Sequence, residues 1–271
     1  MRPKAEIRIG TPHRRLQKRA DLVAEDIKFL ITQKNLSLGD RLPNERELQE
    51  QFMVSKGTIR EALKSLEVQG LVRISTGPKG GATLVEVPLD RTVQFVQNYL
   101  FFKDIDMSGV YGSRRLLEPE LAAGAVPHLT DEHFRLLEQN IDACSSHHGT
   151  VDDIVDQRQA DLDFHDILAS ANPNTFLRFN CEMINALLRK LVVYSKATPH
   201  DEHARFGCAN VRCHTEILEA ARAGDAELVR NRMRAHMDEA FEFVQNLRGR
   251  LDGRLLLDAD MLSYKSGVRK P

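Results

Sequence analysis

No run of about 18 apolar residues occurs anywhere in this chain of 271 residues, so nothing in it is expected to span a membrane. Cysteine is scarce, and Cys144, Cys181, Cys208 and Cys213 are scattered without a CxxC pair, which fits reduced thiols in a cytoplasmic chain. The opening MRPKAEIRIGTPHRRLQKRA is basic but has no apolar core, so it does not read as a signal peptide. Internal repeats and low-complexity tracts are also missing. What is present is the balance of a globular protein, 42% hydrophobic and 28% charged, with length enough for two domains. The net charge of −1 conceals an asymmetry, because residues 1–80 carry +6 and the remainder −7. A basic front and an acidic back suit a DNA-binding head on a body that stays off DNA.

The chain is organised around LPNERELQEQFMVSKGTIREALKSLEVQGL, residues 42–71. Leu48 and Phe52 make the apolar side of one short helix. Ser55 then opens a second, since a serine oxygen satisfies the free N–H groups of a first turn. Ile59, Leu63 and Leu66 recur at helical spacing and face inward, leaving Lys56, Thr58 and Arg60 outside near the N-terminal end. A helix lodged in a DNA major groove needs this division of faces. On periodicity alone, the pattern equally fits an ordinary amphipathic helical hairpin. The next residues favour DNA: Gly70 ends the helix, Val72-Arg73-Ile74 reads as a strand, Thr76 to Gly81 as a basic glycine turn, and Ala82 to Val87 as a second strand. A helix-turn-helix followed by such a hairpin is a winged helix.

The stretch resembles the DNA-binding domain of the GntR family of bacterial transcription regulators, whose usual form is close to LPSEREL…VSRGTVREAL…LEAEGLV. The resemblance implies operator contacts by Arg46, Ser55, Lys56, Thr58, Arg60 and the wing-tip Gly77. Asn44, Met53 and Lys56 stand where that family usually has serine, glycine and arginine. Lys56 bears most on base reading, because lysine cannot make the bidentate contact of arginine to guanine.

Around this stretch, residues 1–20 read as a flexible basic arm and 21–87 as the winged domain, whose first helix, Asp21 to Gln33, turns Leu22, Ile27, Leu30 and Ile31 inward. Pro88 marks the boundary. Residues 88–248 then give seven helical segments: Leu89 to Phe102, Ser108 to Ala125, Thr130 to Ser146, Val151 to Ser170, the strongly apolar and central Thr175 to Lys196, Asp201 to Ala223, and Asp225 to about Arg248. Short connections make these an all-α antiparallel bundle, and 249–271 is a tail. The fold class is mainly α, a winged helix-turn-helix followed by a helical bundle.

Inside that bundle Asp161 and His165 lie four apart on one helix face, while His214 and His236 lie near the inward stripes of two later helices. Three imidazoles and a carboxylate suit a divalent transition metal with positions open for water or ligand. Spacing alone leaves open that these are hydrogen-bonded structural histidines. ADLDFHDILASANPN, VRCHTEILEAARAGD and VRNRMRAHMDEAF resemble the FCD-type effector domain of the FadR subfamily of those regulators. That resemblance implies Asp161, His165, His214 and His236 as metal ligands, with zinc first and nickel or manganese as alternatives. It also implies a small carboxylate effector completing the metal's coordination. An arginine of an Arg-x-x-x-Glu motif, here Arg114 before Glu118, would contact that effector, with Arg115 a rival if the register is off by one. For Arg114 the bland alternative is an exposed i,i+4 ion pair with Glu118. Met233 and Met237 read as core filler, and Cys213 points away from His214.

The expected protein is a homodimeric regulator, a repressor before an activator, on a pseudo-palindromic operator, with affinity set by an organic acid at the metal. A regulator for which the ion itself is the signal, a purely structural metal, and a metal-dependent enzyme are the rival readings. The enzyme is disfavoured because a DNA-binding head would have no purpose in it and no general base stands beside the ligands.

Overall fold

The computed structural model describes residues 18–77, 80–100, 103, 107–145, 151–189 and 200–247. The expectations for the basic arm before Lys18, the wing-tip residues 78 and 79, the segment 190–199 and the C-terminal tail lie outside the described residues. The chain forms two compact units that divide between Thr92 and Val93.

In the first unit, α1 (Arg19–Gln33) buries Ala20, Val23, Ala24, Ile27 and Leu30. The inward stripe therefore runs through the small residues, and Leu22, expected inside, is 48% exposed. It sits one residue off the i, i+3, i+4 series that meets α3, so it faces water. A capping box starts α2 (Glu45–Phe52): Asn44 accepts from the Arg46 and Glu47 amides, and its own amide donates to the Glu47 carboxylate. α2 ends at Met53 in the left-handed region (φ 51°), where the related pattern has glycine. Ser55 caps α3 (Lys56–Gln69), accepting from the Thr58 amide at 3.2 Å. Gly70, at φ 85°, ends α3, a conformation that suits a residue without a Cβ.

β1 (Val72–Ser75) and β2 (Gly81–Leu84) pair antiparallel from Val72↔Leu84 to Ser75↔Gly81. β2 is shorter than the run to Val87 because its partner strand gives out at Leu71, where the chain comes off α3. A backbone segment before α2 flanks the hairpin, with a bridge from Arg41 to Thr83. Ile27, Leu48, Ile59, Leu63, Leu66, Val72 and Leu84 fill the core between these elements.

The second unit is helical. α4 (Leu89–Leu100) leads from the first unit into α5 (Met107–Ala125), a short 3₁₀ turn Val126–His128, α6 (Asp131–Ser145), α7 (Val151–Ala171), α8 (Thr175–Arg189), α9 (His200–Arg222) and α10 (Ala226–Leu247). α5 packs most extensively on α10, and the two run antiparallel, as the Arg115–Asp238 and Glu120–Arg230 pairs show. α8 is peripheral rather than central: it buries Cys181, Asn185 and Leu187 but leaves Phe176 exposed. Its apolar residues lie on one stripe, so the helix is amphipathic and covers α5 and α7 from outside.

Neighbouring contacts fix the relative direction of the inner helices. Glu118 meets His165 and Leu121 meets Asn172, so α5 and α7 run the same way. Asn210 meets Asp161 and Phe164 stacks on His214, so α9 joins them, with α10 opposed. Phe164, Leu168, Ile217, Met233, Met237 and Val244 are buried in the common core.

Candidate metal centre and nucleic-acid interface

α7, α9 and α10 each send one imidazole to the same level of the bundle. His165, His214 and His236 are all buried, and one ring nitrogen of each lies within 4.8 Å of the others. His236 Nε2 is 3.2 Å from His214 Nε2 and 3.4 Å from His165 Nε2. Around a metal bound at about 2.1 Å, neighbouring nitrogens stand roughly 3.0 Å apart in octahedral and 3.4 Å apart in tetrahedral coordination. The two separations from His236 fall within those limits, and the remaining pair lies within 4.8 Å.

Hydrogen bonding alone satisfies this geometry poorly. His165 Nδ1 faces Glu118 Oε2 at 3.1 Å, which places a proton on that nitrogen and, in the neutral ring, a lone pair on Nε2. His236 Nε2 carries either one proton or one lone pair, so it can make a full hydrogen bond to only one of its two close nitrogens. A cation placed among the three removes that shortfall. The donor set fits a divalent transition metal.

Protonation favours the same role. Burial, then the neighbouring His236, His165 and Arg114 charges, pushes His214 well below the usual histidine range. Burial, then His165 and Arg114, does the same to His236, against the pull of Glu118. Both rings therefore stay neutral near pH 7, the form in which an imidazole binds a metal.

Asp161 stands at the margin of this set. Its Oδ1 is 3.6 Å from His214 Nε2 and accepts from Asn210 Nδ2 at 2.6 Å, and its side chain keeps 15% exposure. Burial raises its pKa despite the opposing charges of His165, Arg114 and Arg158. The three imidazoles converge as expected; the carboxylate approaches only one of them.

Of the two candidate arginines, Arg114 is the buried one. It pairs with Glu118 at 3.3 Å, and its Nη2 has no hydrogen-bond partner among the described residues. The pair is thus not the exposed one considered from sequence. Arg115 lies on the surface, paired with Asp238 at 2.6 Å and resting over Phe241. Burial would raise the Glu118 pKa, but His165 and Arg114 outweigh it and pull the carboxyl down to about 2. One carboxylate thereby joins a candidate ligand to the buried cation. Sequence reasoning placed Glu118 only beside Arg114, although the i,i+4 spacing that pairs the two also turns it toward α7. Asn210, four residues before His214 on the same face, carried the same kind of signal.

In the first unit, Ser55, Lys56, Thr58 and Arg60 occupy the exposed N-terminal end of α3. Ser55 and Thr58 share a hydroxyl hydrogen bond of 2.9 Å. Arg60 and Lys56 both reach Glu45 at the start of α2. Arg46 lies on the exposed side of α2 beside Glu50, and Gly77, at φ 102°, sits in the exposed turn beyond β1. Cations and hydroxyls at a helix N-terminus offer donors to phosphate oxygens and base edges.

The chain resembles known proteins over both units. The profile of the bacterial regulatory proteins of the gntR family matches residues 19–82, and that of the FCD domain matches residues 110–239. The HTH-type transcriptional repressor NanR of Edwardsiella tarda is 25% identical over 228 residues, spanning 83% of this chain and 85% of that one. NanR of Salmonella newport is 25% identical over 225 residues, spanning 82% and 84%. Among solved structures, Streptococcus agalactiae GntR superposes with a TM-score of 0.56 at 23% identity, covering 82% of this chain and 99% of that one. Its likeness supports the fold.

Proposed function

Because this chain belongs to the gntR family of bacterial regulatory proteins and carries an FCD domain, we propose that it is a repressor whose operator affinity is set by a small organic acid bound at a metal in the helical unit. The observation that carries this reading is the convergence of three buried imidazole nitrogens beside a buried arginine with an unpartnered nitrogen. His165, His214 and His236 would hold the ion, zinc first, with Asp161 as a fourth donor. When bound, the ion supplies a fixed positive charge to which a carboxylate oxygen can be attached. Arg114 offers the second positive group, and its free Nη2 favours an anionic effector over a regulator that senses the ion alone.

The winged unit binds DNA, with Arg46, Ser55, Lys56, Thr58, Arg60 and Gly77 at the interface. It works in a homodimer on a pseudo-palindromic operator, since one recognition helix reads too few base pairs for useful discrimination. No described helix is long and apolar enough to cross a membrane, and the chain acts in the cytoplasm. An effector that favours one arrangement of the dimer changes operator affinity through a coupling of roughly 1–3 kcal/mol.

The test is a titration of operator binding by the zinc-loaded protein with a panel of small carboxylic acids, repeated with zinc varied in their absence. An acid that shifts binding at fixed zinc, and loses its effect in Arg114→Met, supports the proposal. A response to zinc that no acid modifies refutes the effector and leaves the ion as the signal.

A further inference from the structure

Glu45 is a carboxylate set beside the cations and hydroxyls at the start of α3. It is the first residue of α2, and both of its oxygens accept from Arg60 Nε, at 3.1 and 3.0 Å. Lys56 Nζ stands 3.8 Å away on the preceding turn of α3. Glu45 is the less exposed partner, with 37% side-chain exposure against 62% for Arg60.

Arginine has five N–H donors in a rigid plane, and only the inner one is engaged here. Among the described residues, the two terminal nitrogens of Arg60 have no hydrogen-bond partner. A guanidinium anchored through Nε presents those terminal groups as a fixed two-pronged donor. That fork matches the O6 and N7 acceptors of guanine in the major groove. Unanchored, the same long side chain would rotate freely and settle on the nearest phosphate.

We infer that Glu45 is a positioning residue for sequence reading, holding Arg60 as an outward fork for a guanine edge at the cost of repelling the phosphate backbone. The inference rests on the DNA-reading role of α3 proposed above. It has a signature that a merely structural ion pair lacks: removing the carboxylate lowers discrimination while leaving non-specific binding equal or tighter.

The experiment uses the full chain and an operator selected by it from a pool of random-sequence duplexes. Binding to that operator, to single-guanine replacements of it and to a scrambled duplex is measured across a salt series, for E45Q, E45D and R60A, with thermal melts confirming folding. R60A should abolish discrimination at one guanine position. E45Q should reduce discrimination at that same position by about tenfold, within the range that a bidentate contact supplies. It should also hold the scrambled duplex at least as well as the unaltered chain, with a salt slope about one phosphate steeper as Arg60 turns to the backbone. E45D, whose shorter side chain reaches less well, should fall between.

Equal weakening on every duplex by E45Q or E45D, or full discrimination in both while R60A loses it, overturns the inference. An R60A protein that binds and discriminates normally overturns the reading of α3 itself, and this inference with it.

Discussion

The ring of Phe164 lies flat on the imidazole of His214, with centroids 3.8 Å apart and planes 5° from parallel. His214 Nδ1 has no hydrogen-bond partner among the described residues, so stacking does what a hydrogen bond from Nδ1 does in most metal-binding histidines. His165 is held the usual way, by Glu118. Phe164→Leu should therefore loosen His214 while keeping an apolar residue in place. Zinc affinity, measured by competition with a chelating dye, should fall about tenfold, the lower end of the range for outer-sphere changes. Unchanged affinity would show that packing around His214 suffices without the stack.

Glu118→Gln should be costly. It removes the negative charge between Arg114 and His165 and leaves a buried guanidinium without its ion-pair partner. Breaking a buried pair from one side typically costs about 3–5 kcal/mol. Adding Arg114→Met should restore a large part of that loss, because the orphaned charge goes too. Denaturant melts of the two single variants and the double variant measure the coupling.

Acid should destabilise the metal-free protein in a defined window. His214 and His236 have folded pKa values well below the usual one, so the unfolded chain takes up protons near pH 6.5 that the folded chain refuses. The unfolded state then binds more protons, and stability falls as pH drops below about 6.5, by at most about 1.4 kcal/mol per pH unit for each ring. Asp161, whose pKa is raised, acts in the opposite sense nearer its own range and softens the lower part of the curve. Thermal melts in chelator between pH 7.5 and 5 should reveal the decline, and His236→Gln should flatten it.

Met53 sits in the left-handed region and is 84% exposed, so the strain gains nothing from burial. That conformation costs a residue with a Cβ about 1–2 kcal/mol, while glycine loses roughly 0.5–1 kcal/mol in backbone entropy. Met53→Gly should therefore stabilise the winged unit by about 0.5–1 kcal/mol, visible as a higher thermal midpoint.

Much of this architecture could be read from the linear chain, because local rules govern it. Asn44 and Ser55 cap helices since their short side chains reach backbone amides two or three residues on, whatever the rest of the molecule does. The stripe of Ile59, Leu63 and Leu66 follows from helical periodicity, and the imidazoles could be suspected from their places on inward faces. Periodicity was less reliable where it left a choice between adjacent residues. Leu22 faces water and small Ala20 and Ala24 face inward, because the approach of α3 selects the stripe.

What the sequence by itself determined was which segments are helical, where they begin, and which residue types lie on each face. Only the tertiary structure decided which faces meet. It buried Arg114 and left Arg115 on the surface, brought Glu118 to His165 across 47 positions, stacked Phe164 on His214 and left Asp161 beside a single imidazole. The physical reason is that helix formation is settled by hydrogen bonds four residues apart. The angular setting of each helix is settled instead by side chains packing against partners far away in sequence.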